Sequence, residues 1–228
     1  DLSIFDYVFC WLGNTNLILS IIKLIEDKMN LEHDIQEAGV QMILLVEDSI
    51  RFYSSILPNL YNYILEQSKN FSKEALNRHA ATMRMRGRPK VVLARTYEEA
   101  KKLYDKYSDN TLGVISDARF PLKSAAKAFG NVVDEDVQPK HATDTFGREK
   151  CPDAGLQLFR YIRKNDSFVP LILESSESEN RAKAEAEGFR FVDKNSKKMS
   201  VDLRRLMEEH MGFGDFIFRD PKTHEEIM

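Results

Sequence analysis

Three carboxylates, a hydroxyl and an ammonium follow separate apolar runs of the sequence, and these residues could carry phosphoryl chemistry. They are Glu47 and Asp48, Asp117, Ser175 and Lys194. Two adjacent carboxylates repel each other, so an apolar strand that ends in both favours a nearby cation. A carboxylate is a weak nucleophile towards an anionic phosphate unless charge is neutralised. Together the residues predict a cation site suited to an aspartyl phosphate.

Each of these residues has an expected role. Asp117 is the expected nucleophile, with capping of the following turn as its alternative role. Lys194 would pair with a phosphoryl oxygen, and Ser175 would donate a hydrogen bond to the transferred group. Mg²⁺ is the expected cofactor, and its predicted ligands are the carboxylates of Glu47, Asp48 and Asp117 and the backbone carbonyl of Arg119.

The elements that must position these residues alternate between strand and helix. From Met42 onwards, short apolar runs and helical patterns follow one another five times, which predicts an α/β fold with a doubly wound parallel sheet. Pro58, inside the first long helix, is expected to kink or break it. The predicted strands are 41–46, 91–94, 112–117, 169–173 and 189–192.

Residues 1–40 are expected to lie outside the main domain. Ile4–Leu12 is typical of a buried strand, and the following apolar stripe predicts a helix with more than one face covered. One strand and one helix cannot bury such a stripe alone. We therefore interpret 1–40 as the end of a preceding domain or a docking strand-helix, 41–211 as the main domain with insertions at about 66–88 and 122–152, and 212–228 as a linker to a downstream domain.

Composition limits the partners and the compartment. The net charge of −3 over 228 residues gives no electrostatic footprint for nucleic acid, so no nucleic-acid or membrane partner is expected. The apolar stretch 17–25 is too short to span a bilayer. Cys10 and Cys151 lack the spacing of a zinc site or a disulfide framework, which favours a reducing cytoplasm.

The motifs over roughly 42–211 resemble the receiver domain of two-component response regulators. They are Val46-Glu-Asp-Ser49, Ser116-Asp-Ala-Arg-Phe-Pro121, Asp153-Ala-Gly155, Pro170-Leu-Ile-Leu-Glu-Ser175 and Phe191-Val-Asp-Lys194. The resemblance implies a flavodoxin-like (βα)5 fold with sheet order 2-1-3-4-5, here carrying an N-terminal strand-helix extension. It also implies a phosphoacceptor at Asp117 and a switch through Ser175 and Phe191.

The same resemblance implies partners. They are a histidine kinase or phosphotransfer protein and a downstream output domain of the same chain, with a homodimer as a further option. The chain would then be a signalling module of a multidomain bacterial protein and no enzyme beyond self-phosphorylation and slow self-dephosphorylation. Residues 4–34 resemble the last unit of another receiver-like domain. The whole chain is also similar to the receiver-like N-terminal region of bacterial proteins that carry a phosphoenolpyruvate/pyruvate-binding domain.

Two alternatives stay open. Asn195 replaces the proline usual after the lysine, and Arg119 and the 122–152 insertion are expected to lie over the pocket. Both features suit a pseudo-receiver that serves protein interaction or dimerisation without phosphorylation. A metal-dependent phosphohydrolase would need an acid two residues after the nucleophile. Arg119 stands there, so a general base is missing.

Overall fold

A computed structural model describes residues 6–73, 75–123 and 143–212, together with 218–219 and 226–227. The helices in these ranges are α1 Asn16–Ala38, α2 Ile50–Lys73, α3 Arg78–Arg86, α4 Tyr97–Tyr107, α5 Ala154–Asn165, α6 Glu179–Ala186 and α7 Met199–His210. The strands are β1 Met42–Val46, β2 Lys90–Ala94, β3 Thr111–Asp117, β4 Phe120–Pro121, β5 Lys150–Cys151, β6 Leu171–Ser175, β7 Arg190–Asp193, β8 Phe218–Arg219 and β9 Glu226–Ile227.

Five parallel strands form the central sheet in the order β2-β1-β3-β6-β7. Because β6 and β7 are its fourth and fifth strands along the chain, this is the 2-1-3-4-5 order of a flavodoxin-like doubly wound sheet. The structure therefore confirms the predicted fold class. The order reverses between β1 and β3, and the crevice at such a switch point is where open α/β sheets bind ligands.

Helices cover both faces of the sheet, which explains why the strands are apolar without alternation. Successive residues of β1 point to opposite faces. Leu44 packs in the cluster that contains Tyr104 of α4 and Phe159 of α5, whereas Ile43 packs with α2 and α7. None of the described helices combines the length and the apolar character that a membrane-spanning helix needs.

Pro58 lies inside the second helix without ending it. This residue was expected to kink or break the helix; α2 runs from Ile50 to Lys73 with Pro58 buried inside it, which contradicts the break, while the kink stays a prediction. A proline removes one hydrogen bond of the helix, and the buried face contributed by Tyr53, Leu57, Leu60 and Tyr61 offsets that loss.

The predicted strand at Ile4–Leu12 is absent from its described part. Residues 6–12 have no regular secondary structure and lie along α2. The Tyr53 hydroxyl donates to the carbonyl of Val8, and the Cys10 N–H donates to Ser54 Oγ at 2.9 Å. The strand pattern was misleading because side chains of α2 satisfy backbone groups that a neighbouring strand would otherwise have to pair.

Helix α1 packs against the edge strand β2 and against α2. Its buried face includes Leu17, Leu24 and Leu31. The opposite face is exposed, with Ile18 at 56% and Met29 at 78%, so the covering of more than one face is not seen among the described residues. The described part of 1–40 thus belongs to the packing of the main sheet, while its origin in a preceding domain stays a prediction.

A buried ionic cluster fixes α1 to the sheet edge. Asp27 is fully buried and accepts hydrogen bonds from Arg88 Nη2 at 2.6 Å and from Tyr61 Oη at 2.9 Å. It also accepts the backbone N–H of Val91 on β2 at 2.9 Å. One carboxylate therefore satisfies a buried guanidinium and an amide that an uncovered edge strand would leave unpaired.

Replacement of Asp27 by alanine should be strongly destabilising. Asp27→Ala removes the nearer counter-ion of the buried Arg88 and leaves only the longer 3.7 Å contact with Glu26 among the described residues, so we expect the free energy of unfolding to fall by about 3–5 kcal/mol in urea titrations. Asp6 is the matched control, because its ion pair with Lys28 is largely exposed. Asp6→Ala should change stability by less than about 0.5 kcal/mol. Equal losses in both variants would contradict a structural role for the cluster.

Candidate functional site

The three predicted carboxylate ligands meet at the carboxyl ends of two neighbouring strands. Glu47 and Asp48 follow β1, and Asp117 is the last residue of β3. One ligand oxygen from each lies within 4.8 Å of the others. Parallel pairing of Val46 with Ser116 brings the strand ends level, which explains the convergence of residues that are 70 positions apart in sequence.

Lys194 joins two of these carboxylates. It follows β7, and its Nζ lies 2.9 Å from Asp117 Oδ1 and contacts Glu47 Oε2. The side chain is only 2% exposed. Burial alone would lower the pKa of Lys194, but the charges of Glu47, Asp117 and Glu174 raise it overall. The ammonium therefore stays charged and offsets the repulsion between the acids.

Glu47 is engaged through both oxygens. Its Oε1 accepts the backbone N–H of Ser49 at 2.9 Å, just before α2 begins, and its Oε2 contacts Lys194. Burial raises the pKa of Glu47, while the charge of Lys194 opposes that rise. Glu47 thus connects the end of β1 to the end of β7 as well as contributing to the acidic cluster.

One oxygen of Asp48 has no hydrogen-bond partner in the part of the chain that the structure describes. The residue is fully buried, and Oδ1 has no hydrogen-bond partner among the described residues. The pKa of Asp48 is raised to about 6, because the effect of burial outweighs the opposing charge of Lys150. A buried carboxylate oxygen without a donor is costly unless a ligand completes it. This oxygen and the hard, all-carboxylate donor set fit a Mg²⁺ ion.

Lys150 is a site residue that sequence reasoning missed. Its Nζ lies 2.6 Å from Asp48 Oδ2. It belongs to β5, which pairs antiparallel with β4 and so places Lys150 opposite Pro121. Lys150 falls in the predicted 122–152 insertion, whose lack of periodicity gives no indication that its final residues return to the pocket. Residues 124–142 of that insertion lie outside the described residues.

Ser175 and Phe191 occupy the places predicted for the switch. Ser175 ends β6 and lines the crevice, and its Oγ accepts from Glu177 N at 3.1 Å and from Asn180 Nδ2 at 2.9 Å. Both contacts use the hydroxyl as an acceptor, which leaves its hydrogen available to donate. Phe191 is half-buried on β7, with the Arg181 guanidinium 4.7 Å from its ring centre. Movement of either residue stays a prediction.

The side chain of Arg119 lies at the mouth of the site. It lines the crevice, and its Nη2 lies 2.7 Å from Glu177 Oε1 on the loop after β6. Metal binding by its backbone carbonyl stays a prediction. The crevice has a volume of about 170 Å³, several times the share of one water molecule in the liquid, so a phosphoryl group could enter beside the arginine.

Two polar contacts hold the loops around Lys194. The Lys194 N–H donates to the Ser175 carbonyl at 2.9 Å, and Asn195 Nδ2 donates to the Ser176 carbonyl at 2.9 Å. Asn195 therefore ties the loop after β7 to the loop after β6 where the resemblance leads one to expect proline.

Gly155 keeps α5 close to Asp117. A Cβ at this position would lie 2.3 Å from the Asp117 carbonyl oxygen and 3.1 Å from Ala118 Cα. The Gly155 N–H also donates to the Ala118 carbonyl at 3.1 Å. Only glycine allows this approach without moving the strand end that carries Asp117.

Glu174 is a second residue that the sequence did not single out. It is fully buried on β6, and its Oε1 has no hydrogen-bond partner in the described parts of the chain. Burial raises its pKa to about 7; Lys194 opposes this rise and Asp117 adds to it. Glu174 directly follows an apolar run at the end of the predicted strand. The sequence therefore does not show whether this acid is buried in the sheet or faces a loop.

Glu174 should make stability depend on pH. Its folded pKa of about 7 exceeds the ordinary 4.5, so between these values the folded state holds a proton that the unfolded state has released. Stability should therefore fall as pH rises through this window. Across this pH window, the free energy of unfolding of the wild type should fall by on the order of 3 kcal/mol relative to that of Glu174→Gln. Urea unfolding at several pH values measures this difference.

The control for this measurement is Glu37→Gln, which removes an exposed carboxylate of α1. Its stability difference from the wild type should stay constant over the same pH range. A Glu174→Gln difference that is equally constant would show that this carboxyl group titrates normally.

Comparisons with known proteins give similarities only among solved structures. No protein-family model matches the chain, and no curated protein matches it. A response regulator receiver domain protein from Clostridium thermocellum is similar at 15% identity and a TM-score of 0.42, over 76% of this chain and 95% of that one. The non-phosphorylated receiver domain of HemR from Leptospira biflexa is similar at 20% identity and a TM-score of 0.38, over 73% and 94%.

Proposed function

We propose that this chain is a phosphoacceptor receiver domain that accepts a phosphoryl group on Asp117. The observation that carries the proposal is the convergence of three carboxylates and a buried ammonium at the carboxyl ends of β1, β3 and β7. Asp117 is the accessible member, with its side chain 14% exposed against 2% for Glu47 and none for Asp48. An incoming phosphoryl donor would therefore meet Asp117 first.

The chain's own residues have separate tasks in the transfer. A carboxylate oxygen of Asp117 forms the new bond to phosphorus while the bond between phosphorus and the donor breaks, and the donor leaves with that electron pair. Lys194, already 2.9 Å from Asp117, holds a phosphoryl oxygen, and Ser175 donates its hydroxyl hydrogen to another. Glu47, Asp48 and Asp117 would hold Mg²⁺, which when bound neutralises phosphoryl charge.

The wider signalling role rests on this reaction. The phosphoryl donor would be a histidine kinase or phosphotransfer protein in the cytoplasm, and the output would pass through Ser175 and Phe191 to a partner or a downstream domain. Arg119 stands where a hydrolase would need its general base, and it is paired with Glu177. The chain is accordingly a phosphoryl acceptor that turns over slowly at most.

A pseudo-receiver is the second candidate function, and two ion pairs favour it. Lys150 contacts Asp48, and Arg119 spans the crevice mouth to Glu177. These cations could satisfy the pocket permanently, so that the fold serves protein interaction or dimerisation alone. The difference between the two functions is whether Asp117 ever becomes modified.

Phosphorylation can be tested directly with a small donor. Incubation with Mg²⁺ and acetyl phosphate should add one phosphoryl group to the wild type, detected by intact-protein mass spectrometry. Asp117→Asn should lose the adduct completely because an amide is not a competent nucleophile. Chelation of the cation should also prevent its formation.

Asp109→Asn is the matched control, since it removes an exposed acid shortly before β3. This variant should be phosphorylated to the same extent as the wild type. Retention of the adduct in Asp117→Asn would exclude this acceptor. Failure of the wild type to form any adduct, including with beryllofluoride, would favour the pseudo-receiver.

A further inference from the structure

Lys150 is held in place by structure on both sides. Lys150 lies on β5, which pairs with β4, and β4 begins only three residues after Asp117. A compact turn precedes it, in which Asp144 accepts the backbone N–H of Phe146 at 2.9 Å and of Arg148 at 2.7 Å. Asp144 Oδ2 also pairs with Arg148 Nε at 2.6 Å. The pairing of β5 with β4 and the turn before β5 therefore place the ammonium in the pocket.

The contact of Lys150 with Asp48 is desolvated. The Lys150 side chain is 17% exposed and that of Asp48 is not exposed at all, so solvent screens the pair weakly. The ammonium lies on Oδ2 of the carboxylate, while Oδ1 has no partner among the described residues. One positive charge thus already acts on the acid that a divalent cation would also need.

We propose that Lys150 is a built-in counter-ion that competes with the divalent cation for Asp48. This inference rests on the proposed function, because it concerns the Mg²⁺ ion of that site. Repulsion between the ammonium and an incoming dication opposes binding, so the ion must displace Lys150 from Asp48 or bind more weakly beside it. The end of the insertion thereby sets the cation affinity of the pocket.

Removal of the ammonium should strengthen cation binding. Titration calorimetry with Mg²⁺ alone, on the full chain without any phosphoryl donor, should give Lys150→Met a dissociation constant about tenfold below that of the wild type, equivalent to about 1.4 kcal/mol. Lys150→Arg keeps the charge and should stay within about threefold of the wild type, an expectation based on the similar charge of the two groups. Circular dichroism should show that the variants fold.

Two further variants isolate the contact from general charge effects. Lys102→Met removes an exposed lysine of α4 outside the pocket and should alter the affinity less than about twofold, since distant surface charges are screened. In an Asp48→Asn background, Lys150→Met should give a smaller gain than it gives alone, because competition for the carboxylate is gone and only the repulsion between the ammonium and the ion remains.

The outcomes separate this inference from the proposed function. Equal Mg²⁺ affinity in the wild type and Lys150→Met, or an equal gain from Lys102→Met, would overturn competition at Asp48 and leave phosphorylation untouched. Absence of Mg²⁺ binding in every variant would also overturn it. Whether Asp117 accepts a phosphoryl group is decided by the mass measurement alone, so a missing adduct together with a tenfold affinity gain would defeat only the proposed function.

Discussion

Negative charge concentrated in a cluster of largely buried carboxylates is the constraint on which the rest of this structure depends. Glu47, Asp48, Asp117 and Glu174 lie near one another at the carboxyl ends of the central strands. Burial raises the pKa of Glu47, Asp48 and Glu174, which shows how poorly this environment tolerates unpaired anions. The fold meets the constraint with two lysines from distant segments, each in contact with one of the paired acids after β1.

The two lysines answer the same electrostatic demand in different ways. Lys194 is buried against two carboxylates and is part of the sheet's own loop system, so its removal would leave both acids uncompensated. Lys150 contacts one acid and lies on β5, at the end of the predicted insertion. Lys194 is built into the ends of the sheet strands, whereas Lys150 lies on the separate strand β5. Lys150 could therefore be replaced without disturbing Lys194.

The sheet and most of the site could be predicted because both follow from strong local signals. Strands buried on two faces are continuously apolar, and polar residues at their carboxyl ends share one edge of the sheet. These two rules are sufficient to place Glu47, Asp48, Asp117, Ser175 and Lys194 together.

The features that the sequence did not predict depend on contacts between residues far apart in the chain. Such contacts produce no periodic pattern in the sequence. Lys150 lies in an aperiodic stretch, and only the pairing of β4 with β5 brings it to Asp48. Asp27 sits within a helical pattern, where its burial is explained by Arg88, 61 positions later. The strand predicted at Ile4–Leu12 was wrong for residues 6–12 because aromatic and apolar residues can pack on a helix as well as on a sheet.

The ionic attachment of α1 also has a consequence for how the polypeptide is made. Asp27 leaves the ribosome well before the backbone amide of Val91, which follows 64 positions later and completes its set of partners. Helix α1 is synthesised before β1. Until β2 has also been synthesised, the buried leucines of α1 have no edge strand to pack against. Helix α1 can therefore complete its docking only after β2 has been synthesised, although the helix itself leaves the ribosome earlier.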